Sequence, residues 1–138
     1  MALDVHLVTP ERDVWSGPAE MVVARGVDGD VGILSGHAPL LIRLAIAPLR
    51  IRREGGEWLV AVVDGGFLHV TSEGTSTRVD VLATHAELAH EVDVSAARRL
   101  KDEAETRLQT RDTGVAEAGM EHAKAELARA VARITVAG

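Results

Sequence analysis

The apolar pattern changes its period near residue 90, and no single layer of secondary structure fits both sides of that change. Upstream, apolar and polar residues alternate in short runs broken by Gly and Pro. Downstream, Ala, Glu and Arg dominate, no Pro occurs, and apolar residues recur every three or four positions. A period of two places alternate side chains on opposite faces of a strand, and a period near 3.6 places them on one face of a helix. The chain is therefore read as an all-β sandwich, residues 1–88, followed by an α-helical hairpin, residues 89–138.

Within the first part, Leu3, Val5 and Leu7 alternate with polar neighbours and form a half-buried strand ending at Pro10. Met21–Val23 is a second run closed by Gly26, and Leu49 and Ile51 alternate with Arg50 and Arg52 after Pro48. Gly55-Gly56 reads as a hairpin turn. Leu59–Val63 is a continuous apolar run, the mark of a central strand. Asp64-Gly65-Gly66 is a further turn before Phe67, Leu68 and Val70, Gly74 closes the next hairpin, and Val79–Ala83 is read as the last strand. Short strands at close spacing favour a sandwich or barrel over a parallel sheet.

In the second part, Asp93 or Ser95 is placed to accept an orphan amide hydrogen bond at a helix start. Ala97, Leu100, Ala104 and Leu108 share one helical face, and residues 110–114 (TRDTG) are a polar break. Ala116, Met120, Ala123, Leu127, Val131 and Ile134 share a face of the second helix. This seam is narrow and Ala-rich. At ~25 cal/mol per Å² of buried apolar surface, so small a seam stabilises weakly, and the hairpin is expected to detach or open at modest cost.

Composition excludes several functions. The chain contains no cysteine, which removes disulfides, thiolate nucleophiles and Cys-based zinc sites. No stretch approaches the roughly 20 apolar residues of a membrane-spanning helix, and the N-terminus lacks the basic and apolar regions of a signal peptide. Net charge is −6. Residues 93–138 hold eight basic and eight acidic groups, so residues 1–92 carry the whole excess. An acidic globule with no basic stripe is not expected to bind nucleic acid.

Gly29–Leu41 (GDVGILSGHAPLL) is the densest stretch in turn-forming residues, with Gly29, Gly32, Gly36 and Pro39. It lacks the Gly-Lys-Ser/Thr of a phosphate loop. Asp28 and Asp30 begin like a calcium loop, but Gly32 stands at the next ligand position and Pro39 where the closing Glu belongs. The local reading is a tight, Gly-shaped connection between two strands. His85 and His90 are five apart, and Glu121-His122 is no His-Glu-x-x-His motif, so no metal site is expected.

The same stretch carries a family likeness. Gly29–Leu41 resembles the signature segment of the epsilon subunits of F-type ATP synthases, with Ser35 where that family usually has Pro. Val8-Thr9-Pro10-Glu11-Arg12 resembles the end of the family's first strand, and Asp64–Val70 (DGGFLHV) its GGF strand. The likeness extends over the whole chain, helical tail included.

The resemblance implies a protein without catalytic residues or cofactor: a rotor-stalk subunit on the cytoplasmic face of a bacterial membrane, peripherally held. Its partners would be the gamma subunit, the c ring, and the alpha and beta subunits of the catalytic hexamer. Asp30, Gly32, Ile33, Leu34, His37 and Pro39 become contact candidates for gamma or the c ring. His37 is read either as such a contact or as a histidine that holds its turn through a backbone hydrogen bond. The hairpin of such subunits can extend and inhibit ATP hydrolysis, which makes Arg98, Arg99, Lys101, Arg107, Arg111, Lys124, Arg129 and Arg133 candidates for meeting acidic surfaces. Some members bind ATP through a motif that here reads Val92-Asp93-Val94-Ser95-Ala96-Ala97, with Ala96 in place of its Arg. Nucleotide binding is therefore not expected, and Asp93 is read as a helix cap. The competing readings are a stand-alone sandwich that binds a ligand, for which Trp15, Trp58 and Phe67 are few aromatic platforms, and an adaptor dimerising through its helices.

Overall fold

The structure, a computed structural model, describes residues 2–109 and 117–137, without the side chains of 117 and 118. The break at 110–114, Ala116 and Arg111 thus lie outside the described residues. The strands are β1 (Leu3–Val8), β2 (Asp13–Gly26), β3 (Gly29–Leu34), β4 (Leu40–Arg43), β5 (Ile46–Arg53), β6 (Trp58–Asp64), β7 (Gly66–Glu73), β8 (Ser76–Ala83) and β9 (Ala86–Leu88). A 3₁₀ turn, Ala89–Glu91, leads to α1 (Val94–Gln109) and α2 (Glu117–Ala137).

The strands pair in the order β4-β7-β8-β1-β2-β5-β6-β9, with β3 also on β2. The long β2 joins two layers. Its residues 13–19 pair with β1, and its later residues pair with β5 and β3. The register slips against both neighbours, between Leu7 and Val8 and between Ala19 and Met21. Such bulges bend a strand and sharpen its twist, so the ladder folds over into a sandwich. Leu3, Val5, Leu7, Leu68, Val70, Val79 and Val81 from one layer share a core with Ile33, Leu49, Ile51, Ala61 and Val63 from the other. The core is aliphatic, and Trp15 packs against it only in part.

Four details differ from the sequence reading. Met21–Val23 is the middle of the 14-residue β2. Gly29–Leu41 is no simple connection: β3 and β4 occupy both its ends, because Val31 and Ile33 alternate inward below β2. Val79–Ala83 is not the last strand, since β9 follows and pairs antiparallel with β6. Asp64-Gly65-Gly66 carries the chain from one layer to the other, because β6 pairs with β5 and β9 while β7 pairs with β4 and β8. That crossing depends on Gly66. It has φ +108, and a Cβ there would stand 2.1 Å from the Leu82 carbonyl oxygen.

The run Leu59–Val63 is central, as its continuous apolarity implies. Ala61 and Val63 face the core, while Val62 points outward yet is 3% exposed. It is covered because α2 lies across the outer face of β5 and β6, with α1 packed on α2. The helical faces differ from the expected ones. Leu100 and Val131 are exposed, and Ala130 and Ala132 are buried instead, because α2 faces α1 on one side and the sandwich on another.

Candidate functional site

The helices cover one outer face of the sandwich and leave the other open. On the open face, register places side chains in rows across β4, β7, β8 and β1. Arg43, Phe67 and Leu82 form one row, Leu41, His69, Asp80 and His6 the next, and Thr71, Arg78 and Asp4 a third. Leu41, Phe67 and Leu82 are exposed by 64%, 46% and 53%, respectively. A shallow hollow of about 440 Å³ lies beside Val8, Pro10, Phe67 and Leu82. Polar groups stand among the apolar ones: Arg78 Nε donates to Asp80 at 3.0 Å, and His6 Nε2 lies 3.0 Å from Asp4. The Asp80 carboxylate raises the pKa of the Arg78 guanidinium above its ordinary value. Exposed apolar side chains set among charged and polar ones are what a protein partner covers.

One end of the sandwich presents β3 and the turn after it. Asp30 lies opposite Arg25 across the strand pair and accepts from its Nε at 3.0 Å in solvent. Leu34 and Pro39 are exposed, whereas Ile33 is fully buried, a core side chain rather than a surface one. The turn is tied down. Gly36 N–H donates to the buried Thr77 Oγ at 2.8 Å, His37 N–H to Leu34 O at 3.1 Å, and Ser72 Oγ to His37 O at 3.3 Å. His37 Nδ1 lies 2.7 Å from Ala38 O. A carbonyl only accepts, so Nδ1 carries the proton and Nε2 is left for a partner. The two readings of this histidine are thus compatible. Gly36 has φ +86, whereas Gly32 is ordinary strand whose added Cβ would meet only the flexible end of Met21, at 3.1 Å.

The hairpin is seated on the sandwich by charge. Arg129 Nε donates to Asp64 at the end of β6, and Arg133 Nε, four residues on, donates to Glu87 in β9. All four side chains are at most 31% exposed. At the base, Glu91 Oε1 accepts from Arg12 Nη2 and from the Leu88 N–H, both at 2.8 Å. The Arg12 bond, helped by that amide, holds the Glu91 carboxyl down at about 2, and Glu91 in turn raises Arg12. Asp93 caps α1, accepting from Ala96 N–H at 3.0 Å.

The remaining tail cations are placed as follows. Arg107 crosses the hairpin to Glu126 at 2.7 Å. Lys124 is 3.6 Å from Glu121 and Lys101 3.8 Å from Glu105. Arg98 and Arg99 stand exposed on α1. The sequence reading missed the acceptors Asp64, Glu87 and Glu91. The available signal was the spacing of four between Arg129 and Arg133, which places both on one face of α2.

Comparison with known proteins covers both halves of the chain. The family model for the ATP synthase delta/epsilon chain beta-sandwich domain matches residues 2–89, and the long alpha-helix domain model matches residues 90–138. The ATP synthase epsilon chain of Chromohalobacter salexigens is 44% identical over 93% of this chain and 86% of its own length. That of Natranaerobius thermophilus is 41% identical over 96% of this chain and 90% of its own length. A chain in the Euglena gracilis mitochondrial ATP synthase, solved by cryo-EM with F1 and the c-ring, superposes with TM-score 0.80 at 25% identity, over 94% of this chain and 78% of that one. A chain from the Tetrahymena thermophila mitochondrial central stalk and c-ring shares the fold, with TM-score 0.60 at 16% identity over 100% and 98% of the two chains.

Proposed function

The chain belongs to the ATP synthase delta/epsilon family, and from that premise we propose how its surfaces divide the work of a non-catalytic central-stalk subunit. The open face bearing Leu41, Phe67 and Leu82 docks on the gamma subunit. The end formed by β3 and the His37 turn rests on the c ring, with Asp30, Leu34, His37 and Pro39 as the contacts. The protein so held is peripheral, on the cytoplasmic face of the membrane. The observation that carries this reading is the asymmetry of the sandwich: α2 covers one outer face, while the opposite face exposes Leu41, Phe67 and Leu82.

The hairpin is the regulatory part. Folded, it spends Arg129 and Arg133 on Asp64 and Glu87. Released, it extends along gamma and presents those cations, with Arg98 and Arg99, to acidic surfaces of the alpha and beta subunits, and so restrains ATP hydrolysis. The family match over both halves disfavours a stand-alone ligand-binding module or adaptor.

Two experiments test this division. Phe67→Glu with Leu82→Glu should abolish capture of gamma from membranes while circular dichroism stays native. Undiminished capture would remove the assigned face. Deleting residues 93–138 should leave assembly intact and raise ATP hydrolysis by the complex. Hydrolysis unchanged across nucleotide conditions would remove the inhibitory role.

A further inference from the structure

Between α2 and the outer face of β5 lies an open cleft of about 480 Å³. Its floor is apolar: Ile46, Ala47 and Pro48 from β5, and Leu127 and Val131 from α2. Ala128 and Ala132 of the helix and Ala47 of the strand line it with side chains too small to fill the gap. Residues 124, 127, 128, 131 and 135 recur at spacings of three and four and share one face of the helix. Residues 129 and 133, which bind Asp64 and Glu87, fall on another. The cleft is thus separate from the hairpin's ionic seat.

Its rim is cationic. Arg25, Arg50 and Lys124 come from β2, β5 and α2 respectively, and no carboxylate lines the cleft among the described residues. Arg25 and Lys124 have solvent-exposed carboxylate neighbours, Asp30 at 3.0 Å and Glu121 at 3.6 Å, which leave other N–H groups of both cations free. The Arg50 guanidinium has no ion-pair partner among the described residues; it also edges a small neighbouring recess of about 80 Å³, outside the cleft, shared with Arg25, Asp30 and Pro48. An apolar floor alone would accept any hydrophobe, and exposed cations alone any anion. Together they select a molecule with both features.

We propose that this cleft binds a small organic anion with an apolar body, that body lying on Pro48, Leu127 and Val131 and the anionic group held by Arg50 and Lys124. One wall belongs to the sandwich and the other to the hairpin, so the ligand binds only the closed form. A ligand selective for one state stabilises it in proportion to its occupancy. The ligand class follows from the cleft alone; the effect on the hairpin rests on the proposed opening of the tail.

Anilinonaphthalene sulfonate is a suitable probe, and neutral phenylnaphthylamine is its uncharged counterpart. Titrated into the full chain, the sulfonate should bind once and shift the NMR amide signals of Ala47, Ala128 and Ala132. Arg50→Gln with Lys124→Gln should weaken it about fivefold or more and leave the neutral probe unaffected. Ala128→Leu, which fills the cleft, should block both probes. Failure to bind, shifts at Phe67 and Leu82 instead, or an affinity indifferent to the two charges would overturn the site. The sulfonate should also slow hydrogen exchange in α2. Binding with unchanged exchange would refute the link to hairpin opening and leave the ligand site standing.

Discussion

The sandwich and the hairpin are held together by different means. Every largest fully buried side chain belongs to the sandwich, and nearly all are Leu, Ile or Val. In the described parts of both helices, every buried residue is an alanine: Ala97, Ala104, Ala123, Ala130 and Ala132. An alanine removes far less apolar surface from water than a leucine, so the hairpin draws more on Arg129, Arg133 and the Glu91 clamp. The β unit thus rests on a large aliphatic core, and the helices on small side chains and a few charged contacts. The proposed release of the tail needs that division.

That contrast can be broken most severely at Gly66. Gly66→Ala places a Cβ against the Leu82 carbonyl in a left-handed backbone, and should cost more than about 4 kcal/mol, so the chain should fail to reach its native near-ultraviolet spectrum. Gly55→Ala, at φ +96 with open space around it, should cost only about 1 kcal/mol. Equal tolerance of the two would show that the crossing is not rigid.

Core truncation comes next. Leu68→Ala should lower unfolding free energy by about 2–5 kcal/mol, read by urea denaturation. Ala123→Gly in the helical seam should cost about 1 kcal/mol and act mainly on α2 amide exchange. A larger loss from the helical change would invert the comparison.

The ionic seat separates the two parts more finely. Arg129→Gln with Arg133→Gln should cost between the roughly 0.5 kcal/mol of exposed pairs and the roughly 3 kcal/mol of buried ones. Amides of α2 should exchange faster while those of β7 and β8 do not. Uniform acceleration would mean that the halves unfold as one.

The smallest effect concerns acid. Glu91 is held at about 2 against an ordinary 4.5. Its folded value is depressed, so its contribution is complete above about 4.5 and fades as pH falls toward about 2. Glu91→Gln should therefore flatten the acid limb of hairpin stability in that window and change nothing in its slope near neutrality. An unchanged acid limb would show that the clamp is not coupled to the seat.

How much of this was legible depended on locality. The Asp93 cap, the turns at Gly55 and Gly74 and the central place of Leu59–Val63 follow from neighbours in the chain, and the sequence reading contains them. The length of β2, the short β9 and the inward turn of Ile33 did not emerge. Glycine and proline inside β2 imitate turns, and three residues are too few to show a period. The His37 turn was readable as a turn, but its bonds to Thr77 and Ser72 join residues far apart in the chain.

The sequence by itself determined that an aliphatic β unit precedes two helices, because periodicity is local and each period suits one element. It also carried the family, through motifs in fixed order. Only the tertiary structure decided that β1 runs parallel to β8, that α2 hides Val62, and that Asp64 and Glu87 receive the hairpin's arginines. Those are pairings between distant residues. Many sequence-compatible partners exist for each, and the choice falls to whichever packing buries the apolar faces while leaving every charge a counterion or water.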